Sequence, residues 1–318
     1  MENHGDKIRL INLSMIKSMF KKIVKKVFNL FGLNISKLPQ NRNLEKKKVI
    51  EIKIGEYKIK LTSDHALPKI LEKYPNYSSN LPRIASKVKE KYTDLSLIDV
   101  GANVGDTVAL LRNKDYFPIA CIEGDDGFFE FLQNNIKQFR DVTTFKYFLG
   151  DKSNSINAEI EKKDGTARII KSNNKIKFIT LDDFTKLNPQ FKSAKILKID
   201  TDGYDIKIIN GGLSYIQNTK PILFFEYDEV YLSEMGDDIT PTLQKLKEIG
   251  YNKIMFFDNY GRFLLSTKLN ETELIKQLQS YITNKGGAFQ YYDVCLFHNE
   301  DNEIVDIIIN NELEFNKL

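Results

Sequence analysis

Five short apolar runs, each closing on a polar or glycine-containing turn, constrain this chain more than any other feature. Leu95-Ser-Leu-Ile-Asp-Val100 ends in Gly101-Ala-Asn-Val-Gly105 and leads into a helical stretch from Asp106 to Arg112. Phe117-Pro-Ile-Ala-Cys-Ile122 ends at Glu123-Gly124, and Asp125 to Gln138 carries Phe128, Phe129, Leu132 and Ile136 at helical spacing. Val142 to Phe148 forms a third run, closing at Leu149-Gly150-Asp151. Lys195-Ile-Leu-Lys-Ile-Asp200 precedes a helix from Tyr204, and Pro221-Ile-Leu-Phe-Phe-Glu226 precedes one over Asp238 to Ile249. Strands buried on both faces read as continuous apolar runs, and their alternation with helices predicts an α/β fold with a parallel sheet covered on both sides.

Tyr251 to Phe257 and Gln290 to Phe297 add two terminal strands, separated by a helical insertion near Glu271 to Tyr281, which suits an antiparallel last strand. Residues 155–180 alternate short β-like segments and predict a hairpin excursion. The expected organisation is a basic helix and linker over 1–48, a lead-in of hairpin and helices over 49–94, the sheet domain over 95–300, and a C-terminal tail or helix over 301–318. Hydrophobic residues at 42% supply a sizeable core. Two cysteines, Cys121 and Cys295, and 3 histidines exclude a disulfide framework and a Cys-based zinc site. Both cysteines sit inside strand patterns and are expected as buried thiols.

Charge divides the chain unevenly. The first fifty residues carry 12 Lys+Arg against 3 Asp+Glu, and the remaining 268 carry 35 against 40. A basic arm ahead of a mildly acidic body is no nucleic-acid footprint, so no nucleic-acid partner is expected. Within the arm, Met15, Ile16, Met19, Phe20, Ile23, Val24, Val27 and Phe28 repeat near 3.6 residues, opposite Lys17, Lys21, Lys22, Lys25 and Lys26, with Gly32 as a stop. The lysines forbid a transmembrane span and also a cleavable signal, whose apolar stretch they would interrupt. Two readings stay open for residues 14–31: the helix lies in an anionic membrane surface, or it packs its stripe on the body. The expected location is cytoplasmic, peripheral at the inner face of the membrane in the first reading.

Asp99-Val-Gly-Ala-Asn-Val-Gly105 places glycines where a strand turns sharply into a helix, so that backbone can approach a ligand and helix amides can face it. It departs from the dinucleotide fingerprint Gly-x-Gly-x-x-Gly, because Ala102 and Asn103 interrupt the pattern and Asp106 takes the third glycine's place. A carboxylate there repels a pyrophosphate but tolerates a cationic sulfonium and amino group. Glu123, 24 residues after Asp99 and at the next strand's end, stands where an acid accepts ribose hydroxyls in nucleotide-binding sheets.

Ile98-Asp-Val-Gly-Ala-Asn-Val-Gly-Asp106, Ile179-Thr-Leu-Asp-Asp-Phe184, Leu197-Lys-Ile-Asp-Thr-Asp-Gly-Tyr-Asp205 and Phe225-Glu226 together resemble the FkbM-type S-adenosylmethionine-dependent methyltransferases, over roughly residues 65 to 260. The resemblance implies a class I methyltransferase fold: a Rossmann-like, seven-stranded, mostly parallel sheet with an antiparallel last strand. It also implies O-methylation of hydroxyls on sugars or secondary metabolites. In that resemblance Asp99, Gly101, Asn103 and Gly105 hold the methionine part of the cofactor, Glu123 the ribose and Asp151 the adenine, with Ala102, Asp106, Thr107 and Gly124 as further cofactor-binding candidates. Where the family commonly has Asp-x-Glu-Gly-x-Glu, this chain has Asp202 and Asp205, whose shorter side chains retract the charge.

Asp200 is the candidate for the catalytic carboxylate, since it closes the fourth strand at the crevice where open parallel sheets bind ligands. Asp202 and Glu226 join it as candidate catalytic groups. A carboxylate is a weak base for an alkyl hydroxyl, so proton transfer is late or is helped by a divalent ion such as Mg²⁺ on Asp200 with Asp202 or Glu226. Tyr204, Tyr227, Asp228, Tyr231 and His65 are candidates for the acceptor side, aromatic faces with polar tips suiting sugars. Asp182 and Asp183 read as an N-cap opening a short helix. The leading expectation is an O-methyltransferase acting on a sugar, glycan or lipid-linked glycan in cell-surface polysaccharide biosynthesis. A non-catalytic nucleotide-binding module of the same fold and a nicotinamide-dependent dehydrogenase are the alternatives.

Overall fold

The computed structural model describes residues 48–283 and 290–317. The basic helix expected over residues 14–31 lies outside them. Among the described residues the chain opens with an antiparallel hairpin, β1 (Val49–Ile54) and β2 (Tyr57–Thr62). Helices α1 (Leu67–Lys73) and α2 (Asn80–Lys91) follow. The second buries Leu81, Ile84, Ala85 and Val88, a repeat of three and four residues that puts one stripe on the sheet.

The main sheet contains β3 (Leu97–Val100), β4 (Ile119–Ile122), β5 (Val142–Phe145), β9 (Ile196–Ile199), β10 (Ile222–Tyr227), β11 (Tyr251–Asp258), β12 (Phe263–Lys268) and β13 (Tyr292–His298). Its order is β12-β11-β13-β10-β9-β3-β4-β5. The five strands from β10 to β5 are parallel, while β13 runs antiparallel to both β10 and β11. The expected seven strands are all present, and β12 adds an eighth at the edge, antiparallel to β11. Its half-exposed pattern explains why no apolar run announces it.

Period-two geometry sorts the sheet's side chains onto two cores. Ile98, Val100, Ala120, Ile122, Leu197 and Ile199 enter one cluster, and Leu97, Ile119, Cys121, Ile196, Ile222 and Phe224 enter the other. Asp99, Glu123, Lys198, Asp200 and Glu226 share the second parity, so that face gathers the polar groups at the strands' carboxyl ends. Cys121 and Cys295 are free and buried.

Two local expectations are corrected. The third strand stops at Phe145; Phe148–Leu149 forms a separate strand, β6, that pairs in parallel with Phe178–Ile179. β6 belongs to a three-stranded sheet with β7 (Ser155–Lys163) and β8 (Thr166–Ile179), the hairpin expected over 155–180. Asp182 and Asp183 do not cap the helix they begin, over Leu181–Leu187; its N-cap is Thr180, which accepts from the Asp183 amide at 3.1 Å. Asp182 instead accepts from the amides of Ser214 and Tyr215 at 3.3 and 2.7 Å, in the first turn of a helix over Leu213–Thr219. The chain closes with a helix over Asn302–Phe315, docked by Arg83 reaching the buried Glu312 at 2.6 Å.

Candidate active site

The turn after β3 is shaped by its neighbour strand. Gly101 has φ +80°, and a Cβ placed on it would lie 1.9 Å from the Asp200 carbonyl oxygen. Glycine is therefore required there by the close passage of the β9 end, before any ligand is considered. Asn103 and Asp202 carry φ values of 47° and 49°, so each strand end holds a non-glycine residue in the left-handed region. Such strain clusters where surrounding structure fixes a site.

Glu123 stands beside this turn, 8% exposed. Its two carboxylate oxygens accept from the amides of Asn103 at 2.9 Å and Asp125 at 2.8 Å. Burial pushes its pKa up to about 7 against those hydrogen bonds. It lines a small cavity of about 70 Å³ together with Gly124, Phe148, Ile169 and Tyr204.

A second cavity of about 250 Å³ lies on the other side of the turn, and Gly101, Asn103, Asp200 and Asp202 border both. Lys198 reaches into it from the middle of β9. Its Nζ is 2.9 Å from Asp99 Oδ1 and 3.4 Å from Asp200 Oδ2. The two carboxylates raise the lysine's pKa although burial opposes them. Asp99 is fully buried and lines neither cavity, standing behind Lys198. Burial raises the pKa of both Asp99 and Asp106, and Asp106 does face the larger cavity.

At the far end of that cavity Glu226 and Asp293 are register partners on β10 and β13. Asn80, fully buried, donates from Nδ2 to Asp293 Oδ2 at 3.1 Å. Burial, reinforced by repulsion from Asp200, drives Glu226 well above the usual carboxylate range and Asp293 up to about 7. Asp202 also rises to about 7, through burial and then repulsion from Asp200. The phenols of Tyr77 and Tyr291 meet in a hydrogen bond at this end, both raised by burial. Asp205 faces inward: it accepts from Thr201 Oγ1 at 2.7 Å and from the Glu226 amide at 3.3 Å, tying the ends of β9 and β10 together.

Of the residues expected at the site, Gly101, Asn103, Asp106, Thr107, Asp200, Asp202, Glu226, Tyr231 and His65 line the larger cavity. Gly124, Glu123 and Tyr204 line the smaller one, which places Tyr204 away from the acceptor end, stacked on Phe178 at 5.5 Å. Ala102 and Gly105 are buried in the turn and line neither. Asp151 is exposed and outside both linings. Tyr227 is corrected outright: it is 1% exposed, with its hydroxyl 3.2 Å from Glu229 Oε2, because it alternates with Glu226 and so points to the opposite core. Asp228 is also corrected, being the buried N-cap of the helix over Glu229–Met235. The magnesium reading finds no support, since among the described residues no three His, Cys, Asp or Glu side chains group to hold a metal ion.

Lys198, Tyr77, Asn80, Tyr291 and Asp293 were not foreseen. A lysine inside Ile196-Leu-Lys-Ile199 and an aspartate inside Tyr292–His298 were the available signals, because a charge in a buried strand demands a partner. Nothing in the spacing marks Tyr77 or Asn80, which arrive from the lead-in.

Five parallel strands, a reversed strand inserted beside the fifth, and a ligand crevice at the carboxyl ends of the central pair define a class I methyltransferase. The Methyltransferase FkbM domain matches residues 33–253, and the chain belongs to this family of S-adenosylmethionine-dependent methyltransferases. That membership removes the dehydrogenase alternative. The chain is similar to the methyltransferase FkbM from Methylobacillus flagellatus KT, with 18% identity over 50% of this chain and 39% of that one, and a TM-score of 0.35. It is similar also to a precorrin-6y C5,15-methyltransferase from Geobacter metallireducens GS-15, with 14% identity, 68% and 87% coverage, and a TM-score of 0.36. The M. jannaschii TYW2 in complex with AdoMet gives 12% identity, 80% and 88% coverage, and a TM-score of 0.36. The chain thus spans well under half of the Methylobacillus protein's length. No curated protein matches the chain. Among the described residues no helix is long and apolar enough to cross a membrane.

Proposed function

We propose that this methyltransferase is O-directed and acts on a hydroxyl of a sugar, glycan or lipid-linked glycan, in the assembly of cell-surface polysaccharide. The observation that carries this reading is the division of the crevice by the Gly101–Asn103 turn. A buried acid, Glu123, stands on one side, and Asp200, Asp202 and Glu226 surround a larger cavity on the other. Glu123 fits a ribose, and the carboxylate-rich wall with Asp106 fits the cationic end of S-adenosylmethionine. When bound, that cofactor supplies an electrophilic methyl carbon.

The chain's own residues then orient the acceptor and take its proton. Asp200 is exposed to the cavity and held by Lys198, which suits it to accept the hydroxyl proton late, as the new C–O bond forms. Glu226, whose carboxyl is pushed well above the usual range by burial and then by repulsion from Asp200, lines the same cavity and is placed to hydrogen-bond a neighbouring acceptor oxygen. Phenols of Tyr77, Tyr231 and Tyr291 supply flat faces with polar tips, suited to a polyol.

The test is transfer of a labelled methyl group into a panel of hydroxyl, amine and thiol acceptors. Asp200→Asn is expected to cut transfer about 100-fold or more while S-adenosylhomocysteine affinity stays within about twofold. Cofactor binding with transfer to no acceptor would favour the binding-module reading instead. The amphipathic lysine-rich stretch over 14–31 supports a cytoplasmic protein held at an anionic membrane surface. Deleting residues 1–45 is expected to abolish binding to phosphatidylglycerol vesicles and to leave turnover of a soluble acceptor intact.

A further inference from the structure

The outer wall of the crevice is not the main sheet but the β7–β8 hairpin. Its tip, Asp164-Gly165-Thr166, lines the larger cavity, and Ala167 and Ile169 line the smaller one. The tip is tied on both sides. The Ala66 amide donates to the Asp164 carbonyl at 2.9 Å, and Asn103 Nδ2 donates to the Gly165 carbonyl at 2.8 Å. Gly165 has φ +92°, and a Cβ there would lie 2.6 Å from the His65 ring, so only glycine lets the tip press this close.

Further back, each edge of the hairpin carries one cation that reaches across the crevice. Lys162 Nζ lies 3.0 Å from Asp125 Oδ1. The Arg168 guanidinium sits 3.6 Å from the centre of the Tyr231 ring and 3.9 Å from Glu234 Oε2. The Ala167 amide hydrogen-bonds the Asp202 carboxylate. The hairpin is therefore tied by polar contacts to five segments around the crevice, at Ala66, Asn103, Asp125, Asp202 and the Tyr231–Glu234 helix, while Ile156, Ile169 and Ile176 pack against the core beneath it.

The space behind it is tight. The cavity beside Glu123 holds about 70 Å³ and adjoins the one of about 250 Å³ across the turn, so together they reach only the lower end of the roughly 300–1,000 Å³ typical of small-molecule sites. A nucleoside seated beside Glu123 lies between two walls. The inner wall is the close-packed parallel sheet, which yields little; the outer wall is the hairpin, with Ile169 directly in the way.

We propose that the β7–β8 hairpin is a latched lid over the cofactor crevice, that Arg168 on Tyr231 is its principal latch, and that its opening sets the rate of cofactor entry and release. The inference rests on the crevice being the S-adenosylmethionine site. Tyr231 borders the larger cavity, so the latch also couples lid position to the acceptor side.

The experiment follows release of tritiated S-adenosylhomocysteine from the full-length protein into excess unlabelled ligand. Arg168→Ala is expected to speed release about fivefold, the rate equivalent of losing about 1 kcal/mol. Arg168→Lys, which keeps a cation over the ring, restores most of the slow release. Ala66→Cys with Asp164→Cys, oxidised after loading and checked by thiol titration against Cys121 and Cys295, traps the ligand until dithiothreitol is added. Where the crosslink does not form, the Arg168 pair of variants decides alone. Release unchanged in Arg168→Ala overturns the lid while leaving the cofactor reading intact. Failure of the unmodified protein to bind S-adenosylhomocysteine overturns the cofactor reading and the lid with it.

Discussion

Lys198 and Asp99 are register partners on neighbouring parallel strands, and their side chains meet at 2.9 Å beneath the crevice. Both are buried, so the pair's attraction is set against the cost of taking two charges out of water. Removing one partner leaves the other uncompensated. Lys198→Met is therefore expected to destabilise the protein by about 3–5 kcal/mol in urea unfolding. The double variant Lys198→Met with Asp99→Asn should recover more than half of that loss. A double variant no more stable than Lys198→Met would show that packing around the lysine stem, and not the charge pair, carries the effect.

Glu123 has two tasks, and they separate by substitution. Its oxygens hold the amides of Asn103 and Asp125, and the same carboxylate faces the nucleoside side of the turn. Glu123→Ala orphans two amides and is expected to cost about 1–3 kcal/mol of stability as well as cofactor affinity. Glu123→Gln keeps one acceptor oxygen, so stability should fall less while S-adenosylhomocysteine binding still weakens about tenfold or more. Calorimetry showing unchanged affinity in the glutamine variant would remove the ribose assignment.

The runs at Leu97–Val100, Ile119–Ile122 and Ile196–Ile199 were readable because parallel strands buried on both faces must be apolar throughout. Asp99 and Lys198 break those runs, yet their pairing joins positions far apart in the chain, which no local spacing reveals. Tyr227 differs for another reason: an aromatic face with a polar tip suits a sugar, but residue type says nothing of strand parity, and Tyr227 faces the side opposite to Glu226. The same parity applied to β13 would have pointed to Asp293, in line with Cys295 and Phe297. Asn80 and Tyr77 reach the cavity from α2 and the segment before it, so only the docked lead-in exposes their role.

Asp182 offers a control outside the chemistry. It accepts the amides of Ser214 and Tyr215, two of the donors that a helix start leaves unpaired. Asp182→Ala is expected to cost about 1 kcal/mol, and Asp182→Asn less. Cofactor affinity should not change in either. A loss of affinity measured by calorimetry would mean that the helix over Leu213–Thr219 transmits strain to the crevice.

The carboxyls at the far end of the larger cavity give the apo protein a distinctive pH dependence. Asp293 is raised from its ordinary 3.8 to about 7, first by burial, then by repulsion from Asp200, against the Asn80 hydrogen bond. A carboxyl whose folded pKa lies above its unfolded value makes a contribution that is fully present below the unfolded pKa. That contribution is lost as pH rises through the folded pKa. For Asp293 the window runs from about pH 4 to about pH 7, and Asp202 and Glu226 act in the same direction. Asp106, Asp200, Lys198 and Tyr77 face the same space, and the lysine alone opposes the trend. Asp293→Asn keeps an oxygen for Asn80 and removes the titration. It is expected to be more stable than the unmodified protein at pH 8 by on the order of 1 kcal/mol, a few degrees in Tm, with the difference closing by pH 5. Thermal unfolding at five pH values without cofactor measures it. A difference that stays constant across that range would mean that Asp293 is ionised throughout, and that the cavity is wetter than its buried acids indicate.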